Sequence, residues 1–129
     1  MSGSRTRILV ALAASVLLVV ALSASAEASV PGRGTTTIIR GVGNYYSSPH
    51  WSPSVARVKH GATIEWLAVT NHHHIAAYGG NWTYNRVLAN GASVKRRFPA
   101  AGTFLFRCTI HSSLVNGVCQ GMCGKIIVH

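Results

Sequence analysis

Cys108 and His111 are separated by two residues, and Met122 follows eleven residues later, two before Gly124. A thiol, an imidazole and a thioether thus gather near the C-terminal end of the sequence. Soft sulfur combined with imidazole is a donor set that suits copper. One further imidazole would complete it, and His72-His73-His74 offers three upstream. Taken singly, each residue has a plainer reading. A lone Cys is usually a small buried hydrophobe and a lone Met fills gaps in a core. The spacing Cys-x-x-His followed by Met-x-Gly makes the joint reading the stronger one.

The chain lacks the groups for most other site chemistry. It has two acidic residues in 129, and Glu65 is the only one clear of the N-terminal segment. Carboxylate general acid/base catalysis needs more than a lone, solvent-facing Glu, so the protein is expected not to be an enzyme. Zinc is disfavoured because a thioether is a poor zinc ligand. Of the three histidines in the run, His73 shares strand parity with Ile75 and Ala77. It faces the core if they do, because alternate strand residues face the same way. His72 would then be exposed. His50, His60 and His129 have no motif around them. Three cysteines make an odd count. Either one thiol stays unpaired, or one is a ligand and two pair; a Cys119–Cys123 bridge is sterically available if the backbone brings the two together.

The elements that must carry these residues read as strands. No sustained 3.6-residue apolar period follows the N-terminal segment. Short β-branched and aromatic runs alternate with Gly, Pro, Asn and Ser. Candidate strands are 35–40, 54–59, 63–67, 75–78, 92–98, 103–108 and 125–128, with 41–53 as loop. Seven or eight short strands predict an all-β, Greek-key sandwich. Alternation with one polar face predicts antiparallel pairing.

The first 28 residues read as a secretory signal peptide. Arg5 and Arg7 precede an apolar run from Ile8 to Leu22, and Ala24-Ser25-Ala26 and Ala26-Glu27-Ala28 both fit small-x-small cleavage. That run is too short to span a bilayer, so no stable membrane insertion is expected. Residues 29–129 then form one small domain, secreted or extracytoplasmic. It keeps ten of the twelve Lys and Arg. Such a charge predicts an anionic partner rather than nucleic acid, since the basic residues are scattered apart from Lys95-Arg96-Arg97.

Several stretches together resemble the cupredoxins, the blue (type 1) copper proteins of the plastocyanin/azurin-like group. Gly102-Thr103-Phe104-x-Phe106-x-Cys108-x-x-His111 and Met122-x-Gly124-x-Ile126-x-Val128 are similar to that family's C-terminal signature. Trp51-Ser52-Pro53 and Val58-x-x-Gly61-x-Thr63-Ile64-x-Trp66 resemble its earlier segments. The resemblance implies one type 1 copper ion at one end of the sandwich, bound by His73, Cys108, His111 and Met122. Counting from Gly61 as in plastocyanins gives His74 in place of His73, and His74 is kept as the alternative. With His73 as ligand, His74 would steady the site from behind. The segment Ser112–Gly121 is longer than in the plastocyanin or amicyanin type, and Leu114 stands where the shortest family loops place Met. Met122 is preferred for the register of Gly-x-Ile-x-Val after it, and a Cys119–Cys123 disulfide would clamp the segment that delivers it. The function implied is one-electron transfer by a monomer to a redox partner protein, with Leu114 and Val115 ringing His111. The alternative is copper storage, delivery or resistance without a redox role.

Overall fold

The computed structural model describes residues 34–129. The signal peptide read from residues 1–28 lies outside them, as do the first residues of the domain read as 29–129. Nine strands make up the described chain: β1 (Thr36–Val42), β2 (His50–Ser52), β3 (Val55–Val58), β4 (Thr63–Ala68), β5 (His73–Tyr78), β6 (Asn85–Leu88), β7 (Ser93–Arg97), β8 (Gly102–Val115) and β9 (Val118–Val128). They form two sheets, β2-β1-β4-β7 and β3-β9-β8-β5-β6. The chain crosses between the sheets repeatedly, so four of the seven strand pairings, β1–β4, β4–β7, β3–β9 and β5–β8, join strands that are not consecutive in sequence. The all-β sandwich expected from the residue pattern is the fold observed.

Three details differ from that expectation. The strand count is nine rather than seven or eight, because β2 lies inside the stretch read as loop and β6 was not anticipated. Both are short, of three and four residues, and lie at sheet edges. There a strand needs only one partner and leaves little apolar pattern. Second, the sheets are mixed: β1 runs parallel to β4, and β3 parallel to β9. Each strand joins its partner after a crossover to the other sheet, so alternation alone did not reveal direction. Third, the segment 112–121 is not a loop. β8 and β9 continue past the metal-ligand region as a hairpin, with Leu114 opposite Cys119 and Val115 opposite Val118. Asn116 and Gly117 turn it with φ of 50° and 78°. Both positive values suit a two-residue primed turn, for which Asn-Gly is a strong signal.

The core lies between the sheets. β4 buries Ile64, Trp66 and Ala68, and leaves the residues between them half-exposed. Trp51, Ile39, Ile75, Phe106 and Ile126 complete the centre from five other strands. Gly124 is needed where the strand passes Phe106, since a Cβ there would sit 2.3 Å from the ring. Phe106 contacts Trp51 and Trp66, each with ring centres 5.5 Å apart. This aromatic packing adjoins β5 and β8, the strands that carry His73, Cys108 and His111.

Candidate metal centre

β8 pairs antiparallel with β5 such that Cys108 lies opposite Ile75. Its register with β9 then breaks between Arg107 and Ser112. Four residues of β8 therefore leave the β9 ladder at the point where a ligand loop would begin. The break is held from within. Ser112 Oγ donates to the Cys108 carbonyl at 2.6 Å, and Arg107 Nη1 donates to Ser112 O and Oγ at 3.2 and 3.3 Å. This local closure folds His111 back over Cys108, placing its Nδ1 3.4 Å from Cys108 Sγ.

His73 opens β5 and is completely buried. Its Nε2 donates to the Thr70 carbonyl at 3.0 Å. That contact requires the proton on Nε2, which leaves a lone pair on Nδ1 in the neutral ring. Nδ1 faces Cys108 Sγ at 3.7 Å. Two structural features allow this placement. Trp51 packs against the ring with centres 5.5 Å apart. Gly41 lies so close that a Cβ there would meet His73 Cδ2 at 2.6 Å. Cys108 is the one free cysteine among the described residues and is buried. One nitrogen each of His73 and His111 and the Cys108 sulfur lie within 4.8 Å of one another. Burial lowers the pKa of both histidines. His73 is further lowered by the charge of His111, and His111 by that of His72. Both imidazoles thus favour the neutral state that metal binding requires.

His74 points elsewhere. Its Nδ1 accepts from the Thr109 hydroxyl at 2.6 Å, and its Nε2 donates to Asn85 Oδ1. Its backbone N–H lies 3.4 Å from Cys108 Sγ and donates to the sulfur. The residue thereby ties β5, β6 and β8 together around the thiol. His72 is exposed, as are His50, His60 and His129.

Met122 is buried, at 1 % exposure, whereas Leu114 is 41 % exposed on the hairpin. A bend in β9 turns Met122 inward. Cys119 and Cys123 are joined by a disulfide with Cα atoms 6.0 Å apart, where four residues of straight strand would span about 13 Å. Gly121, inside that bend, has a φ of +97°.

The surroundings of His111 differ from the sequence reading. Asn44, Tyr45, Tyr46, Asn71, His72 and Ile110 line a depression of about 230 Å³ beside it. Leu114 and Val115 instead extend along the hairpin toward its tip. The Tyr45 ring meets His111 edge-on at 4.9 Å, and its hydroxyl donates to the Ile110 carbonyl. Nothing in the spacing of Tyr45-Tyr46 pointed to this contact across 65 residues.

No protein-family model and no curated protein matches the chain. Solved structures do. A purple cupredoxin from Nitrosopumilus maritimus superposes with a TM-score of 0.57 at 19 % identity, over 72 % of this chain and 99 % of the other. The chain has the cupredoxin fold. An amicyanin variant matches with a TM-score of 0.56 at 19 % identity, over 75 % of this chain and 84 % of its own. A Cu-containing nitrite reductase from Thermus scotoductus matches at 0.55 and 20 % identity, but the match spans only 22 % of that longer chain. Within the cupredoxin fold the two imidazoles and the thiol of this chain sit together, and the donor set fits copper on its own chemistry: one soft sulfur with two borderline nitrogens.

Proposed function

We propose that the protein is an exported one-electron carrier that would hold one copper ion between His73, Cys108 and His111, with the Met122 thioether as a further, weaker donor. The convergence of His73 Nδ1 and His111 Nδ1 on Cys108 Sγ, at 3.7 and 3.4 Å, carries the reading. Bound there, copper supplies a Cu(I)/Cu(II) couple. The protein's part is to hold the donors still. Thr70 orients His73, the His74 amide holds Cys108 while its ring holds the neighbouring Thr109, and Ser112 and Arg107 shape the His111 turn. Rigid donors keep atomic rearrangement small between the two oxidation states. His111 is the half-exposed donor and the natural exit for an electron, with Tyr45, Tyr46 and Ile110 beside it for a redox partner protein. The fold match to a single-domain cupredoxin supports a carrier over an enzyme, since the match to the nitrite reductase accounts for a small part of that chain.

Adding Cu(II) to the purified protein and recording its visible spectrum tests this reading. An intense thiolate-to-copper band with reversible one-electron voltammetry is expected. A weakly absorbing complex would instead mark copper as stored or delivered cargo. His73→Ala should abolish the band and His74→Ala should keep it.

A further inference from the structure

We propose that the flank between β6 and β7 is a docking site for a linear, non-nucleic phosphate polymer, gripped by the guanidinium groups of Arg86 and Arg96. This inference is independent of the metal centre.

The two arginines come from different sheets but emerge at the same seam. On β7, Val94 and Arg96 lie opposite Trp66 and Ile64, both fully buried, so Arg96 is directed to the inner side of its sheet. On β6, Leu88 is buried, and Arg86, two residues earlier, shares its side. Tyr84 lies between them. The Arg86 Cζ is 5.7 Å from the centre of its ring and the Arg96 Cζ 5.3 Å; Arg96 is also 5.4 Å from the Trp82 ring. Backbone carbonyls fix both groups further. Arg96 Nη1 donates to Thr83 O at 3.1 Å and Arg86 Nη1 to Asn85 O at 2.9 Å. Cation–π contact and a carbonyl anchor reduce the freedom each long side chain would lose on binding.

Among the described residues no acidic side chain pairs with these charges. The chain has twelve Lys and Arg against two acidic residues. Glu65, the only acid among the described residues, pairs with Lys95 at 3.5 Å. Each guanidinium therefore keeps most of its five N–H donors for a ligand. Planar forks of this kind fit phosphate oxygens two at a time. The rings beside them argue against other polyanions. Trp82 and Tyr84 stack on each other at 5.8 Å and 11°, Tyr84 stacks on Trp66 at 5.3 Å, and Arg96 lies against both Trp82 and Tyr84. Ring faces so occupied offer no platform for a sugar or a nucleobase, which single-stranded nucleic acid would need. What the flank presents is two anchored positive forks, a match for repeating phosphate.

The test measures binding of fluorescently labelled inorganic polyphosphate to the full chain, with polygalacturonate and oligothymidylate of equal charge as competitors. Arg86→Gln with Arg96→Gln should weaken polyphosphate binding at least about tenfold, as expected for losing charge-assisted hydrogen bonds. Arg57→Gln with Lys125→Gln, which removes the same charge elsewhere, should weaken it about twofold or less, through the general field alone. Arg86→Lys with Arg96→Lys keeps the charge and the packing stem but loses the forks, and should bind more weakly than the parent. Equal losses in the Gln pairs, full binding by the Lys pair, or tighter binding of either competitor would overturn the proposal.

Discussion

Cys108 is held from three directions, and the three are not equivalent. His73 and His111 present ring nitrogens to its sulfur, while His74 presents a backbone amide. The side chain of His74 is engaged with Thr109 and Asn85. Removing it leaves those partners without their imidazole but leaves both candidate donor nitrogens in place. His74→Ala should therefore cost about 1–2 kcal/mol of stability through the lost hydrogen bonds, and should shift the copper band without abolishing it; chemical denaturation and the visible spectrum check the two halves. Strand parity in the sequence distinguished His73 from His74, since His73 and Ile75 share a buried face. Nothing local in the sequence foretold the partners that fix each ring. Thr70, Asn85 and Thr109 reach the histidines through turns and pairings that exist only once the sheets have assembled. Gly41 and Trp51, which shape the space for His73, come from the other sheet altogether.

At the scale of elements, the extended β8–β9 hairpin changes how Met122, the proposed fourth donor, is positioned. A loop would leave it loosely tethered. A paired hairpin with a disulfide across its bend gives it one position. Gly121 is the weak point of that device, because a Cβ there would lie 2.5 Å from the His111 carbonyl and its φ of +97° disfavours any side chain. Gly121→Ala should destabilise the protein by about 2 kcal/mol or more and, by pushing His111 away from Cys108, weaken copper binding; thermal unfolding and copper titration would show both. The Cys119–Cys123 bridge closes only a short loop, so the chain-entropy estimate for it is about 2 kcal/mol. Cys119→Ser with Cys123→Ser should lose roughly that amount in a denaturant titration. With the bridge intact, the unfolded metal-free protein should react with one equivalent of thiol reagent, at Cys108; three equivalents without reductant would show that the bridge is absent. Asn116-Gly117 between Leu114-Val115 and Val118 is a hairpin signature that the sequence carried openly. The Cys-x-x-His spacing just before it points to a ligand loop instead, and the two signals compete over the same segment. β6 was illegible for a different reason: three of its four residues are exposed, so it lacks the alternation by which buried strands are recognised.

For the molecule as a whole, the near absence of acids changes what low pH can do. Acid unfolding usually reflects carboxylates that are paired in the native state and must take up protons. Here Glu65 is the single acidic side chain among the described residues. Its pKa is lowered from an ordinary 4.5, chiefly by a hydrogen bond from Ser93 and secondarily by Lys95. That contribution is present above the ordinary value and is lost as pH falls through the lowered one; its half-exposed, solvent-screened setting makes it small. The larger effect should come from His73 and His111. Both are lowered from an ordinary 6.5, first by burial and then by a neighbouring histidine charge. A lowered folded-state pKa means the unfolded chain binds more protons between the two values, so stability rises with pH there. In the metal-free protein, stability should thus be full above about pH 6.5 and fall as pH drops below it. The fall should end once both rings are protonated in the folded state too. His72→Gln removes one charge facing His111 and should shallow that slope, while leaving the part due to burial of His73. Denaturant midpoints of the metal-free protein between pH 4 and pH 8 would measure it. Copper should oppose the loss, because proton and metal compete for the same nitrogen lone pairs. A metal-free protein equally stable across that range would mean that the two imidazoles do not hold the neutral state the site requires.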